Sequence, residues 1–446
     1  MTAMPDYKSL ASQGAVLLGS VLLTLPMSAA AEEGGFFDDD SLTLLNRNYY
    51  FNRSAQDGRP NRRDWSHGLM LDYSSGFTRG TVGFGLDAFA YLGLKLDASP
   101  GKSGTFNLSI RDDGSVADDY GKAGAALKLR VSATELRIGE QHVDTPVFAV
   151  GHNRLIPQTA TGVALDSREL KGLTLQAGHF TSATGHVTTG SDGDLWALYA
   201  GVTTPSVDYA GGRYQFSPDL SASLYTARFE DIWNQYYLEL AGSRELDRGR
   251  RLGAELNLYR SLDTGRARAG SIDNTTLGLS GWYQVGAQRF TLAMQNIDGN
   301  TPFDFLAVGA VNRNGQNGRD KAGPVRLPNA VQYSDFNGPN ERSWQLRYDL
   351  DMAAFGAPGL NLMGRWLRGS GIDGTHLPAN SPYAGRWGDG GKHRETNLEA
   401  RYVVQSGAAK GLSFRLRQTW HRGNPAQGEG NIDEFRVITD YPLDLI

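Results

Sequence analysis

Apolar and polar residues alternate with a period of two along most of this chain. In the segment 412–420, leucine, phenylalanine and tryptophan occupy one parity, and the other parity carries Arg415 and Arg417. Side chains alternate across a β-strand, so one face is apolar and the other presents two guanidinium groups. A soluble β-sandwich would turn the apolar face toward its core. A membrane barrel would turn it toward lipid and the arginines toward a watery lumen.

The same alternation recurs at regular intervals and predicts nineteen strands, the longest at 81–97. Many of them have the roughly 9–11 residues that a tilted strand needs to cross a bilayer. Helical periodicity is nearly absent. After Ala31, no apolar run approaches the roughly 18 residues of a membrane-spanning helix.

The connections between strands indicate how many of them form the barrel. Short connections at 217–219, 352–356 and 406–410 predict periplasmic turns. The long connections predict extracellular loops, at 97–122, 142–160, 299–340 and 369–393. Strand directions assigned forward from the first strand and backward from the last contradict each other between 181 and 216. One of the strands predicted there, at 194–202 and 207–216, therefore belongs to a loop. An even number is expected of a single-chain barrel. We therefore predict an all-β, transmembrane antiparallel barrel of about 18 strands with inward-folded extracellular loops.

The first residues read as an export signal. Lys8 precedes the apolar run 15–25, which is too short to span a membrane, and Ala29-Ala30-Ala31 offers a cleavage site. The alternative is a short buried helix. We predict a cleaved signal peptide at 1–31 and one barrel domain at 32–446, without a hinge or an internal repeat.

Composition excludes several classes of protein. The chain has no cysteine, which removes disulfides and thiolate metal sites. A net charge of −4 leaves no basic footprint for nucleic acid. The eight histidines are dispersed without metal-ligand spacing, and no G-x-S-x-G motif occurs. We therefore predict no enzymatic activity, no cofactor and no nucleic-acid partner. The sequence assigns no metal-ligating residue and leaves open whether a loop binds a metal ion. The 56 glycines and the aromatic residues near strand ends fit an outer-membrane barrel.

If the apolar parity faces lipid, the opposite parity places a set of cations in the lumen. The candidates for substrate binding on the strands are Arg47, Arg53, Arg130, Arg365, Arg401, Arg415, Arg417 and Arg436. Barrel closure brings the last strand beside the first, so most of them should form a contiguous strip. Guanidinium binds carboxylates as a planar fork and stays charged at any working pH. Alternatively, these arginines pair with lumen acids such as Glu399 and only stiffen the wall.

Several long segments resemble the OprD-type (Occ) substrate-specific porins of Pseudomonas outer membranes, over essentially the whole mature length. The details look most similar to the OccK branch, of the vanillate and benzoate porin type, rather than the basic-amino-acid OccD branch. The matching segments are Phe36–Arg53, Gly76–Asp97, Thr145–Gly162, Gly211–Tyr237, Val331–Asn337, Arg342–Leu350, Glu395–Gly407 and Phe435–Leu443.

The resemblance implies an eighteen-stranded monomeric barrel with a narrow eyelet and a ladder of basic residues that guides substrate carboxylates. Arg47 and Arg53 lie in one matched segment, and the third loop near Val147–Gln158 should line the constriction, with Arg154 as a candidate there. The segments 181–194 and 300–329 look specific to this chain, so the resemblance leaves the substrate open.

We therefore expect passive, selective diffusion of small cyclic or aromatic carboxylates across the bacterial outer membrane. The expected partners are these anions together with outer-membrane lipid and lipopolysaccharide, and the chain should be a monomer or a weak oligomer. The alternatives are a porin for basic amino acids or small peptides, a general porin of low selectivity, a barrel enzyme such as a lipase, and a secreted β-structured binding protein.

Overall fold

The computed structural model describes residues 35–247, 249–310 and 320–446. The predicted signal peptide at 1–31 lies outside these residues and stays a prediction. None of the helices in the described ranges is long and apolar enough to cross a membrane. Those helices are three single turns, at Pro100–Lys102, Met352–Phe355 and Pro425–Gln427.

Eighteen antiparallel strands form one closed sheet, and strands are numbered here in chain order. The barrel strands are β1 Ser41–Ala55, β2 Arg62–Ser74, β3 Gly83–Ala98, β4 Asp119–Val131, β5 Thr134–Gln141, β6 Thr159–Ser167, β7 Leu173–Thr184, β10 Val207–Ser217, β11 Leu220–Phe229, β12 Trp233–Glu245, β13 Arg250–Asp263, β14 Asp273–Val285, β15 Gln288–Asp298, β18 Arg342–Asp351, β19 Leu360–Asp373, β20 Asp389–Val403, β21 Ser413–Gly423 and β22 Ile432–Asp444. The barrel closes where β1 pairs with β22, from Thr43 opposite Asp444 to Ala55 opposite Ile432.

Four further strands form a small sheet of their own, here called the inner sheet: β8 Asp194–Ala197, β9 Thr203–Thr204, β16 Leu306–Gly309 and β17 Asp320–Lys321. This resolves the contradiction between 181 and 216. The predicted strand at 194–202 belongs to a loop, and its first residues pair with β16 instead of the barrel wall. Both Leu195 and Ala197 are fully buried. The prediction of eighteen barrel strands is confirmed.

The parity of the strands is also as predicted. Leu398 on β20 and Leu416 on β21 point outward and are 49% and 44% exposed, as lipid-facing residues should be. Arg415 and Arg417, on the opposite parity, point into the lumen, where they line its cavities.

The long connections leave one rim of the barrel, and several of them pack inside it. Side chains from 142–158 (the constriction loop), 185–206, 299–310, 320–341 and 374–388 join inward aromatic residues of the wall in one apolar core. Members of that core include Phe148, Phe180, Leu195, Trp233, Tyr237, Tyr259, Phe303, Leu306, Tyr383 and Trp387. The lumen is therefore partly filled by its own loops.

Two of these loops cross at a glycine. The Gly323 amide donates to the Ala149 carbonyl at 2.8 Å. A Cβ at Gly323 would collide with the side chain and backbone of Ala149. Only glycine permits this approach, which fixes 320–335 against the constriction loop.

The outward parity generates a prediction about stability. Leu398→Arg places a cation near the middle of the apolar belt and should destabilise the barrel by about 2–4 kcal/mol. Leu398→Val keeps an apolar side chain and should unfold close to the wild type. Equilibrium urea unfolding in lipid vesicles measures both. Equal midpoints for Leu398→Arg and the wild type would contradict a lipid-facing position.

Candidate substrate channel

The constriction loop is held against the wall by polar contacts on β1 and on the loop before β4. The Arg47 guanidinium donates to the Arg154 carbonyl at 2.9 Å. The Leu155 amide donates to the Asn107 side chain at 3.1 Å. Leu155 and Ile156 are fully buried in a second apolar cluster, which includes aromatic residues of β1. The loop therefore has a fixed place in the lumen.

Contrary to the prediction, the Arg154 side chain does not line the channel. Its side chain is only 11% exposed, donates to the Thr105 carbonyl at 2.9 Å and lies 3.7 Å from Asp320. Burial raises the pKa of Asp320, and the nearby Arg154 cation counteracts part of that rise. Arg154 therefore joins the constriction loop to the inner sheet, because its guanidinium compensates a buried carboxylate there.

An eyelet cavity of about 440 Å³ lies between the constriction loop, the segment 320–335 and strands β1, β21 and β22. Four cations and three carboxylates line it: Arg47, Lys321, Arg415 and Arg417, with Asp144, Asp335 and Asp440. Arg47 pairs with Asp440 at 2.7 Å, and Lys321 pairs with Asp335. The pKa of Asp335 is raised, because the effect of burial exceeds the opposing effect of the Lys321 cation.

A periplasmic cavity of about 390 Å³ adjoins the eyelet cavity, and Arg415 and Arg417 line both. Cations outnumber acids in its lining, which comprises Arg289, Arg347, Arg365, Arg401, Arg415 and Arg417 against Asp349, Asp351 and Glu399. The two cavities thus bring together five of the predicted residues. We call Arg47, Arg365, Arg401, Arg415 and Arg417 the arginine strip.

The ion pairs in the strip are incomplete. Arg415 and Arg417 share one carboxylate, with their Nε atoms 2.8 and 3.0 Å from Glu399 oxygens. Arg365 donates to the neutral Asn397 side chain at 2.5 Å. Among the described residues, neither Arg365 nor Arg401 has an ion-pair partner. Cationic groups therefore remain available to a passing anion.

Arg53 and Arg436 form a separate group above the eyelet cavity, and they also share one carboxylate. Each guanidinium lies 2.6 Å from Glu434. Arg436 is only 3% exposed and donates to the Tyr49 hydroxyl at 3.1 Å. The Arg53 guanidinium stacks 4.8 Å from the Tyr333 ring. Arg53 can meet solute near the mouth, whereas Arg436 is enclosed.

Arg130 stands apart from the strip. Its guanidinium lies 4.2 Å from the Phe77 ring, and it lines a different cavity, of about 1050 Å³, beside Glu135 and Arg137. Its strand, β4, is three strands away from β1 around the wall. Parity therefore predicted its lumen-facing side correctly but not its neighbours.

Three cations of the channel, Arg289, Lys321 and Arg347, are not among the substrate-binding candidates predicted from the sequence. Arg289 lies just after the β14–β15 turn, opposite in parity to the outward Phe290, so the alternation could have revealed it. Lys321 lies on β17, in a loop without regular alternation, and only the folded structure shows that it lines the eyelet cavity.

The wall opposite the strip is acidic. Glu239 and Glu255 lie on β12 and β13, about half-way around the barrel from β1. Glu239 accepts from the Tyr237 hydroxyl at 2.7 Å, and Glu255 accepts from Asn257 at 2.8 Å. Neither glutamate pairs with a cation in the described part of the chain. The lumen therefore carries opposite charges on opposite walls.

A closed barrel with an apolar outer belt, inward loops and a charged lumen defines an outer-membrane channel protein. The family model described as "outer membrane porin, OprD family" matches residues 34–445. This chain belongs to the OprD family of outer-membrane porins, and it is a multi-pass protein of the bacterial outer membrane. The family predicted from the sequence is confirmed.

Individual relatives bear on the branch of the family. Porin D of Pseudomonas aeruginosa is 52% identical over 408 residues, which cover 91% of each chain. A crystal structure of P. aeruginosa OprD is 50% identical, with a TM-score of 0.80 and coverage of 93% and 98%. P. aeruginosa OpdK, solved with vanillate, is 36% identical, with a TM-score of 0.79 and coverage of 92% and 100%. OprD is also called OccD1, and OpdK is also called OccK1. The overall identities therefore give no support to the predicted likeness to the OccK branch.

The contacts of Arg154 generate a prediction about the eyelet. Arg154→Met removes the bond to Thr105 and leaves Asp320 buried without its guanidinium neighbour. The constriction loop should loosen, and single-channel recordings in planar bilayers should show larger current fluctuations in the open state.

The matched control is Arg394→Met, which removes an exposed arginine from the outward parity of β20. It should leave the open-state current unchanged. A quiet Arg154→Met channel of wild-type conductance would contradict the structural role of Arg154.

Proposed function

We propose that this porin conducts small cyclic or aromatic carboxylates passively along the arginine strip. One observation carries the proposal: the periplasmic cavity is lined by six arginines and three acids, and the described residues include no ion-pair partner for Arg365 or Arg401. Neither catalysis nor a cofactor is needed for this function.

The mechanism follows from the order of the cations. Arg47 lies at the eyelet, Arg415 and Arg417 lie where the cavities adjoin, and Arg401 lies opposite Arg415 in the periplasmic cavity. A carboxylate could pass from one guanidinium to the next without losing all its hydrogen-bond partners at any step. Conduction needs sites that attract the ion yet release it. The net positive lining also concentrates anions locally.

The size of the path supports small solutes. Cavities of about 440 and 390 Å³ accommodate a single aromatic ring with its carboxylate. The family member OpdK was solved with vanillate, an aromatic carboxylate, although at 36% identity.

Basic amino acids are the second candidate, and the acidic wall favours them. Glu239 and Glu255 have no cationic partner among the described residues. A zwitterionic solute could place its carboxylate on the strip and its ammonium group on this wall. The higher identity to OccD1 (OprD), 49%, supports the same candidate.

The proposal is tested by removing the unpaired cations. In liposome uptake assays, Arg365→Gln with Arg401→Gln should slow benzoate entry by about tenfold, because the local anion concentration falls. Arg394→Gln, on the outward parity, is the matched control and should match the wild type. Benzoate uptake unaffected by the double variant would contradict the proposal.

The two candidates respond differently to the acidic wall. If carboxylates are the substrate, Glu239→Gln with Glu255→Gln should leave benzoate uptake unchanged or faster, because repulsive charges are removed. If basic amino acids are the substrate, the same variant should slow lysine uptake. Equal rates for benzoate, lysine and an uncharged sugar of similar size would instead identify a general porin.

A further inference from the structure

A compact group of nitrogen and oxygen donors lies at the outer end of β20 and β21. His393 is on β20, His421 is on β21, and Glu429 is on the connection from β21 to β22. One donor atom from each lies within 4.8 Å of the other two. This group is outside the channel cavities described above.

Hydrogen bonds to other groups fix which ring nitrogens carry protons. His421 Nδ1 lies 2.6 Å from the Gly430 carbonyl oxygen. His393 Nε2 lies 2.6 Å from a carboxylate oxygen of Glu341. Both oxygens can only accept, so these two nitrogens donate. In the neutral rings, the remaining nitrogens therefore present lone pairs.

These lone pairs face each other. His393 Nδ1 and His421 Nε2 are 2.8 Å apart. Glu429 Oε2 lies 3.8 Å from the first and 3.5 Å from the second, and no described residue donates a hydrogen bond to it. Three electron-rich atoms thus converge. A proton shared by the two rings would leave Glu429 Oε2 without a hydrogen bond, whereas a metal ion between the three atoms would satisfy them all.

We propose that His393, His421 and Glu429 bind a divalent transition metal ion of the zinc type. Imidazole and carboxylate donors suit this class of ion. Zinc–nitrogen bonds of roughly 2.0–2.1 Å place two tetrahedral ligands about 3.3 Å apart. The two imidazole nitrogens need to separate by only about half an ångström to reach this spacing.

The surroundings have the features of an outer shell for a metal ion. Ligating histidines usually donate their second nitrogen to a carboxylate or a backbone carbonyl, which orients the ring. Glu341 does this for His393, and the Gly430 carbonyl does it for His421. Glu341 is held in turn by the Gly338 amide at 2.9 Å. Both imidazoles are enclosed, while Glu429 is 17% exposed and offers the route of entry.

The site lies beside the segment that lines the eyelet cavity. The Phe336 ring stacks on His393 at 4.2 Å, and the Tyr333 ring lies 4.9 Å from His421. The Tyr333 hydroxyl accepts from the Gly430 amide at 3.0 Å. A bound metal ion would therefore join β20, β21 and the connection between β21 and β22. These elements lie next to the segment that lines the eyelet cavity.

The test is zinc binding by the folded chain in detergent. Isothermal titration with Zn²⁺ should show one ion per chain for the wild type, and the X-ray absorption spectrum of the loaded protein should show two imidazole ligands. His421→Gln should abolish this binding. Glu341→Gln should weaken it by about 10–100-fold, because a ligand loses its orienting partner. His376→Gln, which removes an exposed loop histidine paired with Asp373, is the matched control and should bind like the wild type.

A second variant guards against misfolding. If His421→Gln fails to form a barrel, Glu429→Gln changes only a loop side chain and should still weaken Zn²⁺ binding. Absence of binding in the wild type, or equal binding by the wild type and a folded His421→Gln or Glu429→Gln variant, would overturn the proposal. The two imidazoles would then share a proton instead of a metal ion.

Discussion

Every backbone amide and carbonyl that crosses the lipid must find its partner within the sheet, and this requirement governs the molecule. An unpaired strand edge in hydrocarbon costs several kcal/mol for each polar group. The pairing of β1 with β22 removes the last edge. It also places Arg47 of the first strand beside Asp440 of the last, which are 393 residues apart in the chain. The arginine strip is therefore a consequence of closure.

Closure concentrates like charges, and the structure limits the resulting repulsion by sharing acids. Glu399 forms ion pairs with Arg415 and Arg417, and Glu434 forms ion pairs with Arg53 and Arg436. A buried charge without a partner is very unfavourable, so each pair of arginines needs at least one carboxylate. One carboxylate for two arginines still leaves a net positive charge. The wall is thereby stabilised without becoming neutral, as the proposed conduction of anions requires.

The barrel was predictable because lipid imposes a period of two on every strand. That period gave the outward leucines and the inward direction of Arg415 and Arg417. Together with the loop lengths and the expected even number of strands, it also gave eighteen strands. The loops carry no such period. The inner sheet, the packing of Arg154 against Asp320 and the position of Lys321 depend on contacts between loops far apart in sequence. His393 and His421 are 28 residues apart in the chain, and only strand pairing makes them neighbours.

The guanidinium charges that remain uncompensated give the channel a dependence on the salinity of its surroundings. Charges act over a Debye length, which is about 30 Å at 0.01 M salt and about 8 Å at 0.15 M. In fresh water the field of the strip therefore extends well beyond the eyelet and can draw anions from outside the mouth. In saline it acts only on solutes already within the lumen. The proposed capture of anions by this wall would therefore be most effective at low ionic strength.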